Sequence, residues 1–385
     1  MRRLQPSLLC AIAQMRIQQH RAGHFGRAHH SRRHVCHPLA DHAQPWFCRI
    51  NPPIAPALRP REPLSMVRLL VGAAVVLSVL ATCAGALAPL FPRADVANDF
   101  RPYILAGSGG LLALSLATRI SGAAWWGASL TVLNAVLLLL PLHWSADTSG
   151  GQALATARDR DRHRDIKIVT FNMAWARRPV DNVARFLLHE DADILLLQEV
   201  TEAHAFALVS LLKTRYPHSY SCAVFQGCTQ AIFAKRPWQS VQHVYRATGN
   251  PEMISARFED AELGTFQVHS LHLAWPFTPE TQARHIDRLI ALRRTITEPA
   301  IFAGDFNMTP WSYQFQRLLA STGLRRHATF LRSWPTDGQF HLPVPLFLID
   351  HVVTTPDFRT ISIEAGPNLG SDHLPIVARL RLGRG

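Results

Sequence analysis

Between Leu69 and Leu90 the chain reads LLVGAAVVLSVLATCAGALAPL, 22 residues without a charge. A helix of this length, at about 1.5 Å per residue, covers a hydrocarbon core of about 30 Å. Two more apolar runs follow, PYILAGSGGLLALSLAT (Pro102–Thr118) and AAWWGASLTVLNAVLLLLPL (Ala123–Leu142). One such run could be a buried helix of a soluble protein; three in close succession point to a bilayer. Trp125, Trp126 and Trp144 flank the third run as interfacial aromatics do. The expectation is a segment of about three transmembrane helices over residues 66–144, with lipid contact through 67–143.

Charge sets the expected orientation. Arg68 and the basic residues before it put the N-terminus in the cytoplasm, and Arg119 in the second tight loop agrees. Three crossings then leave the rest of the chain on the periplasmic face of a bacterial inner membrane. A cleaved signal peptide ending near CAGALA, with two remaining spans, gives the same side. The run RDRDRHRD after the third span argues against export.

The formal charge of +13 is unevenly spread. Residues 1–65 hold ten Lys and Arg against two Asp and Glu; residues 151–385 hold 26 against 22. The excess therefore sits in the leader, and charge alone gives no nucleic-acid footprint for the C-terminal part. Residues 1–65 show neither helical nor strand period and are rich in His, Arg and Pro. Such a stretch cannot bury enough apolar surface to offset its ordering entropy. It is expected to be a disordered basic leader, or upstream sequence translated ahead of a start at Met66. Of six cysteines, only Cys222 and Cys228 lie in the C-terminal part. They suit a local disulfide in an oxidising compartment, whereas a zinc site would need more ligands nearby.

After a polar linker (residues 145–165) the pattern over 166–385 becomes α/β. IKIVTFNM and DILLLQEV read as buried strands separated by the helical period of VDNVARFLLHEDA. A strand-rich middle follows, then the helix ETQARHIDRLIALRRTI, the strand PAIFAGDFN and three last strands. Two packed sheets with helices outside suit this order. What stands out is where polar residues fall. Asn172 ends the first strand, Glu199 the second and His272 the strand VHSLHL. Asp305 and Asn307 end IFAGDFN, and Asp372–His373 open the last strand. Each adjoins a Val, Ile, Leu or Phe run, where a stray polar group is costly. Residues i and i+2 share a strand face, so Asp305 and Asn307 are expected to point the same way.

TFNMAW, LLLQEV, HSLHLAW, AGDFNMTPWS, FLIDHVV and GSDHLPI, taken in order, resemble the motif set of the endonuclease/exonuclease/phosphatase superfamily, over roughly residues 166–382. The membrane-anchored bacterial type shares this layout. The resemblance implies a four-layer α/β/β/α sandwich that hydrolyses phosphoesters with Mg²⁺ or Mn²⁺. Hard oxygen ligands suit such an ion, and Glu199 and Asp372, with Asn172 close by, are the candidates. Asp305 would orient or deprotonate the attacking water. Asn307 would donate to the phosphate or the water. His272 and His373 would stabilise developing charge, and Asp350 would hold the His373 ring and keep it cationic. Two departures from the pattern weaken carry-over of a nuclease substrate: Gln230 stands where many relatives have glycine, and Lys235 replaces a common Ser–Arg start. The substrate class stays open among nucleic acid, phospholipid head group and sugar phosphate, and no obligate protein partner is implied. The alternative is an inactive domain acting as a membrane-tethered binding module.

Overall fold

The computed structural model describes residues 63–145, 165–174, 179–223, 228–244, 249–261, 263–328, 330–336 and 344–383. Most of the leader (residues 1–62) and most of the linker (146–164) lie outside them. Leu64–Gly385 form one compact unit.

Its first part is helical: α1 (Pro63–Ala86), a 3-10 turn (Pro92–Asp95), the one-turn α2 (Val96–Asp99), α3 (Arg101–Ala117) and α4 (Ser121–Ser145). Two of these are long and apolar enough to cross a membrane, over Met66–Ala86 and Ser121–Pro141. The expected middle span falls short. α3 has 17 residues, about 26 Å of helix against a core of about 30 Å. A count of three crossings, and the orientation built on it, is therefore not what the helices supply. α3 packs along α4 at close range, because a Cβ on Gly127 would sit 2.8 Å from the Leu112 Cα. Small residues permit this approach of two backbones.

The second part holds two mixed six-stranded sheets. One has the order β11-β12-β1-β2-β4-β3 and the other β5-β6-β7-β8-β10-β9. The strands are β1 (Asp165–Asn172), β2 (Ile194–Gln198), β3 (His218–Ser221), β4 (Ala231–Ala234), β5 (Ser240–Val244) and β6 (Glu252–Asp260). β7 (Gly264–His272), β8 (Ala300–Asp305), β9 (Arg325–Arg326), β10 (Asp350–Thr354), β11 (Phe358–Ala365) and β12 (Ile376–Leu382) complete them. Each sheet has one parallel pair at its centre, β1 with β2 and β7 with β8, flanked by antiparallel strands.

Strand alternation builds the layers. Ile166, Ile168, Ile194, Leu196, Val268, Ile301, Ala303 and Val352 face inward and fill the space between the sheets. The alternate residues face out. Val169, Phe171, Leu195 and Leu197 pack under α5 (Val180–Glu190) and α6 (Glu202–Leu212). Leu271, Phe302 and Val353 pack under α7 (Pro279–Arg293) and α8 (Tyr313–Thr322). The result is the α/β/β/α sandwich. α8 starts at Ser312, whose side chain accepts from the Phe315 N–H, and stops at Gly323 in the left-handed region. Arg325–Arg326 forms β9, and Arg326 is fully buried, which pushes its guanidinium down to about 9.

Candidate active site

The inward faces of both sheets turn polar at one end. Along β8 the inner series is Ile301, Ala303, Asp305; along β7 it is Val268, Ser270, His272; along β10 it is Thr354, Val352, Asp350. Register then lines the ends up. Glu252 pairs with His272, His272 with Asp305 and Asp305 with Asp350, so four neighbouring strands present one row of ionisable side chains. The facing sheet supplies Asn172 opposite Gln198. All six residues are buried.

Asn172 joins the two sheets. Its Nδ2 donates to Glu199 Oε1 at 3.1 Å and to Asp305 Oδ2 at 3.0 Å, while its Oδ1 accepts from the Ala174 N–H at 2.9 Å. The amide oxygen is thus turned away from the carboxylates, and Asn172 bridges them rather than offering them a third oxygen. Glu199 lies one residue beyond β2 with φ of +50°.

Asp305 and Asn307 converge by a different route from a shared strand face. β8 ends at Asp305, and Asn307 has φ of +51°. An Asx-turn brings them together, with the Asn307 N–H donating to Asp305 Oδ1 at 2.8 Å. The Asn307 Nδ2 is shared between the Leu273 carbonyl (3.0 Å) and Asp305 Oδ2 (3.2 Å), so this amide holds the Asp305 carboxylate. The glycine before it has a steric cause. Gly304 has φ of +147°, and a Cβ there would lie 2.0 Å from the Leu271 carbonyl oxygen. Gly304→Ala is therefore expected to cost at least about 1–3 kcal/mol and to displace Asp305. A Tm equal to wild type would contradict this.

Asp372 and His373 sit in the loop before β12, which starts at Ile376, rather than on the strand itself. Ser371 fixes that loop, donating to the Asn172 carbonyl at 2.8 Å and accepting from the His373 N–H at 3.0 Å. His373 Nδ1 lies 2.8 Å from Asp350 Oδ2, and its Nε2 is 3.8 Å from Asp305 Oδ2. Burial opposes a charged His373 ring, but the Asp350 and Asp305 carboxylates outweigh it and raise the imidazole well above its usual range. Burial likewise raises Asp305, with His373 and the two amides pulling the other way. His272 Nε2 lies 3.6 Å from Glu199 Oε1 and 3.9 Å from Asp305 Oδ2.

Among the described residues, two groups have donor atoms within 4.8 Å of one another: Glu199, His272 and Asp305, and Asp305, Asp350 and His373. Asp372, expected beside Glu199 as a ligand, belongs to neither. Its Oδ2 accepts from the Trp334 indole N–H at 2.9 Å, and its Oδ1 is inaccessible to solvent with no hydrogen-bond donor among the described residues. Five carboxylates around two imidazoles, with one oxygen left over, fit a hard divalent cation such as Mg²⁺ or Mn²⁺.

Three contributors were not picked out from sequence. Glu252, at the head of EMISARFED, faces His272 only because of register. Gln198 donates to Ser270 Oγ at 2.9 Å, linking the sheets beneath the site. Trp334 covers Asp372 from a loop with no strand or helix period. Cys222 and Cys228 are disulfide-bonded, with Cα atoms 5.5 Å apart, and belong to the inter-sheet core.

Fold and site together define a phosphoesterase-type α/β/β/α domain. The Endonuclease/Exonuclease/phosphatase family model matches residues 169–373, more than half the chain. The chain belongs to that family. No curated protein matches it. A solved endonuclease/exonuclease/phosphatase from Beutenbergia cavernae is 22% identical, covering 57% of this chain and 72% of its own, with a TM-score of 0.46. One from Bacteroides vulgatus is 19% identical, covering 57% and 99%, with a TM-score of 0.49. A mannosyl-6-phosphatase from Bacteroides thetaiotaomicron is 15% identical, covering 56% and 99%, with a TM-score of 0.43.

Proposed function

We propose that this protein is a membrane-anchored, divalent-metal-dependent hydrolase of phosphoesters. The observation that carries the proposal is the row Glu252–His272–Asp305–Asp350 facing Asn172 and Glu199 across the inter-sheet gap. Mg²⁺ or Mn²⁺, held by Glu199 with His272 and Asp305 nearby, would supply Lewis-acid polarisation of a phosphoryl oxygen. Asp305 takes the proton of the attacking water, its carboxylate aimed by Asn172 and Asn307. His373, oriented by Asp350, presents Nε2 to the charge that develops on the phosphoryl oxygens. His272 borders the same space from β7. An assay of the full-length protein with Mg²⁺ against p-nitrophenyl phosphate, single-stranded DNA, RNA, sugar phosphates and phospholipids tests this. Release of phosphate or of a shortened product from at least one is expected; inertness toward every phosphoester refutes it.

The location we propose is a bacterial inner membrane with the site on the periplasmic side. Support for the periplasmic side comes from the Cys222–Cys228 disulfide, which persists in oxidising compartments, and support for the membrane from the two long apolar helices. An alkaline phosphatase fused to the C-terminus is expected to be active in cells. Fluorescence from a reporter that matures only in the cytoplasm would reverse the orientation.

A further inference from the structure

The helical segment is fastened to the loop that follows Asp305. Asp99 accepts from the Thr309 N–H at 2.9 Å and from its hydroxyl at 2.8 Å, two residues past Asn307. Asp95 accepts from the Ser312 hydroxyl at 2.8 Å and from the Tyr313 and Gln314 N–H groups at 2.6 and 3.0 Å, capping α8. The Trp311 indole donates to the Leu138 carbonyl on α4 at 2.9 Å. Behind Asp95, Asn98 donates to it at 2.8 Å, Arg101 donates to Asn98 at 2.8 Å, and Arg101 also reaches Asn134. Breaking one member of a buried ionic network leaves a charge uncompensated, so this joint resists rotation. The pocket is therefore held at a fixed angle to the apolar helices.

Ring contacts link the rim of the pocket to the start of α3. Trp334 lies 6.4 Å from the His373 ring and 5.7 Å from Phe347. Phe347 in turn lies 5.2 Å from Phe100 and 5.6 Å from Tyr103, at the start of α3. On its other side Trp334 meets Trp275 at 6.1 Å. Trp275 is 46% exposed and its neighbour Phe277 70%, large apolar surfaces for solvent-facing side chains. Close by, Arg93 pairs with Glu280 at 3.1 Å, which brings the turn after α1 against the first turn of α7. Leu90 and Phe91, in the turn after α1, are 75% and 61% exposed. Exposed apolar side chains thus stand both past the end of α1 and at the rim of the pocket, in segments that the Arg93–Glu280 pair brings together. Aromatic residues in such a position bind at the membrane–water boundary.

Resting on the phosphoesterase reading, we infer that the substrate is a lipid phosphoester taken from the bilayer surface. Its phosphate enters beside Glu199, Asp305 and His373, while its hydrocarbon chains stay in the membrane against Trp275 and Phe277. In the reaction, the oxygen of water bonds to phosphorus and the P–O bond to the departing alcohol breaks. One proton of the water passes by way of Asp305 to the alcohol oxygen, and the other stays with the phosphate product.

The test uses the full chain in phosphatidylcholine vesicles carrying phosphatidic acid or phosphatidylglycerol, beside soluble bis-p-nitrophenyl phosphate. Hydrolysis of at least one of the two vesicle lipids is expected. The double variant W275A/F277A should lose about tenfold or more on that lipid through weakened interfacial binding, with turnover of the soluble diester changed less than about twofold. If the soluble diester is cleaved and neither lipid is, the inference fails and the phosphoesterase reading stands. Equal losses on lipid and soluble diester, or cleavage of single-stranded DNA in preference to both lipids, also overturn it. If nothing is cleaved, both readings fall together.

Discussion

Asp305→Ala is expected to lower kcat by about 10²–10⁴-fold, the usual cost of losing a positioned acid–base group. Asn172 and Asn307 would remain, but the carboxylate they aim would be gone. No Mn²⁺ concentration should restore the loss. Glu199→Ala should behave differently, because a weakened cation site refills by mass action; its activity should rise with Mn²⁺ while that of Asp305→Ala stays flat. The check is kcat across a Mn²⁺ titration for both variants. Near-normal kcat for Asp305→Ala would remove the most specific residue from the mechanism.

His373→Ala should cost a comparable factor, about 10²–10⁴-fold, since Nε2 is the imidazole atom nearest Asp305 on that side of the pocket. Asp350→Asn should cost less. The amide still occupies the position 2.8 Å from Nδ1 but removes the main carboxylate that keeps the ring charged. The discriminating readout is the NMR titration of the His373 ring. In Asp350→Asn its pKa should fall toward the ordinary histidine range, and an unchanged titration would show that Asp350 acts only as a packing group.

Much of the fold was legible because burial on both faces writes itself as runs such as IKIV, ILLL and IFAG, broken by helical periods. The polar residues closing those runs were visible for the same reason: Asn172, His272 and Asp305 occupy the last positions of β1, β7 and β8. What alternation cannot encode is register between distant strands, so nothing in the sequence sets Glu252 opposite His272. Nor does it encode backbone turns. Asn307 reaches Asp305 through its own left-handed backbone and not from a shared strand face. Roles also shifted with side-chain direction: Asn172 faces Glu199 with its nitrogen, and Asp372 is spoken for by Trp334. Asp95 and Asp99 stand in PRADVANDF, between two apolar runs. Only the folded chain reveals that they grip Thr309 and the start of α8. The shortness of α3 was visible in the sequence, since the apolar run Pro102–Thr118 is as short as the helix it forms.

The most direct measurement is p-nitrophenol release from bis-p-nitrophenyl phosphate by the full-length protein, before chelation, after chelation and after Mg²⁺ or Mn²⁺ is returned. Activity that disappears with the chelator and comes back with either ion is the predicted result. Hydrolysis that continues unchanged in the chelator, or a folded protein inert in all three conditions, would contradict a cation-assisted phosphoester site built on Glu199 and Asp305.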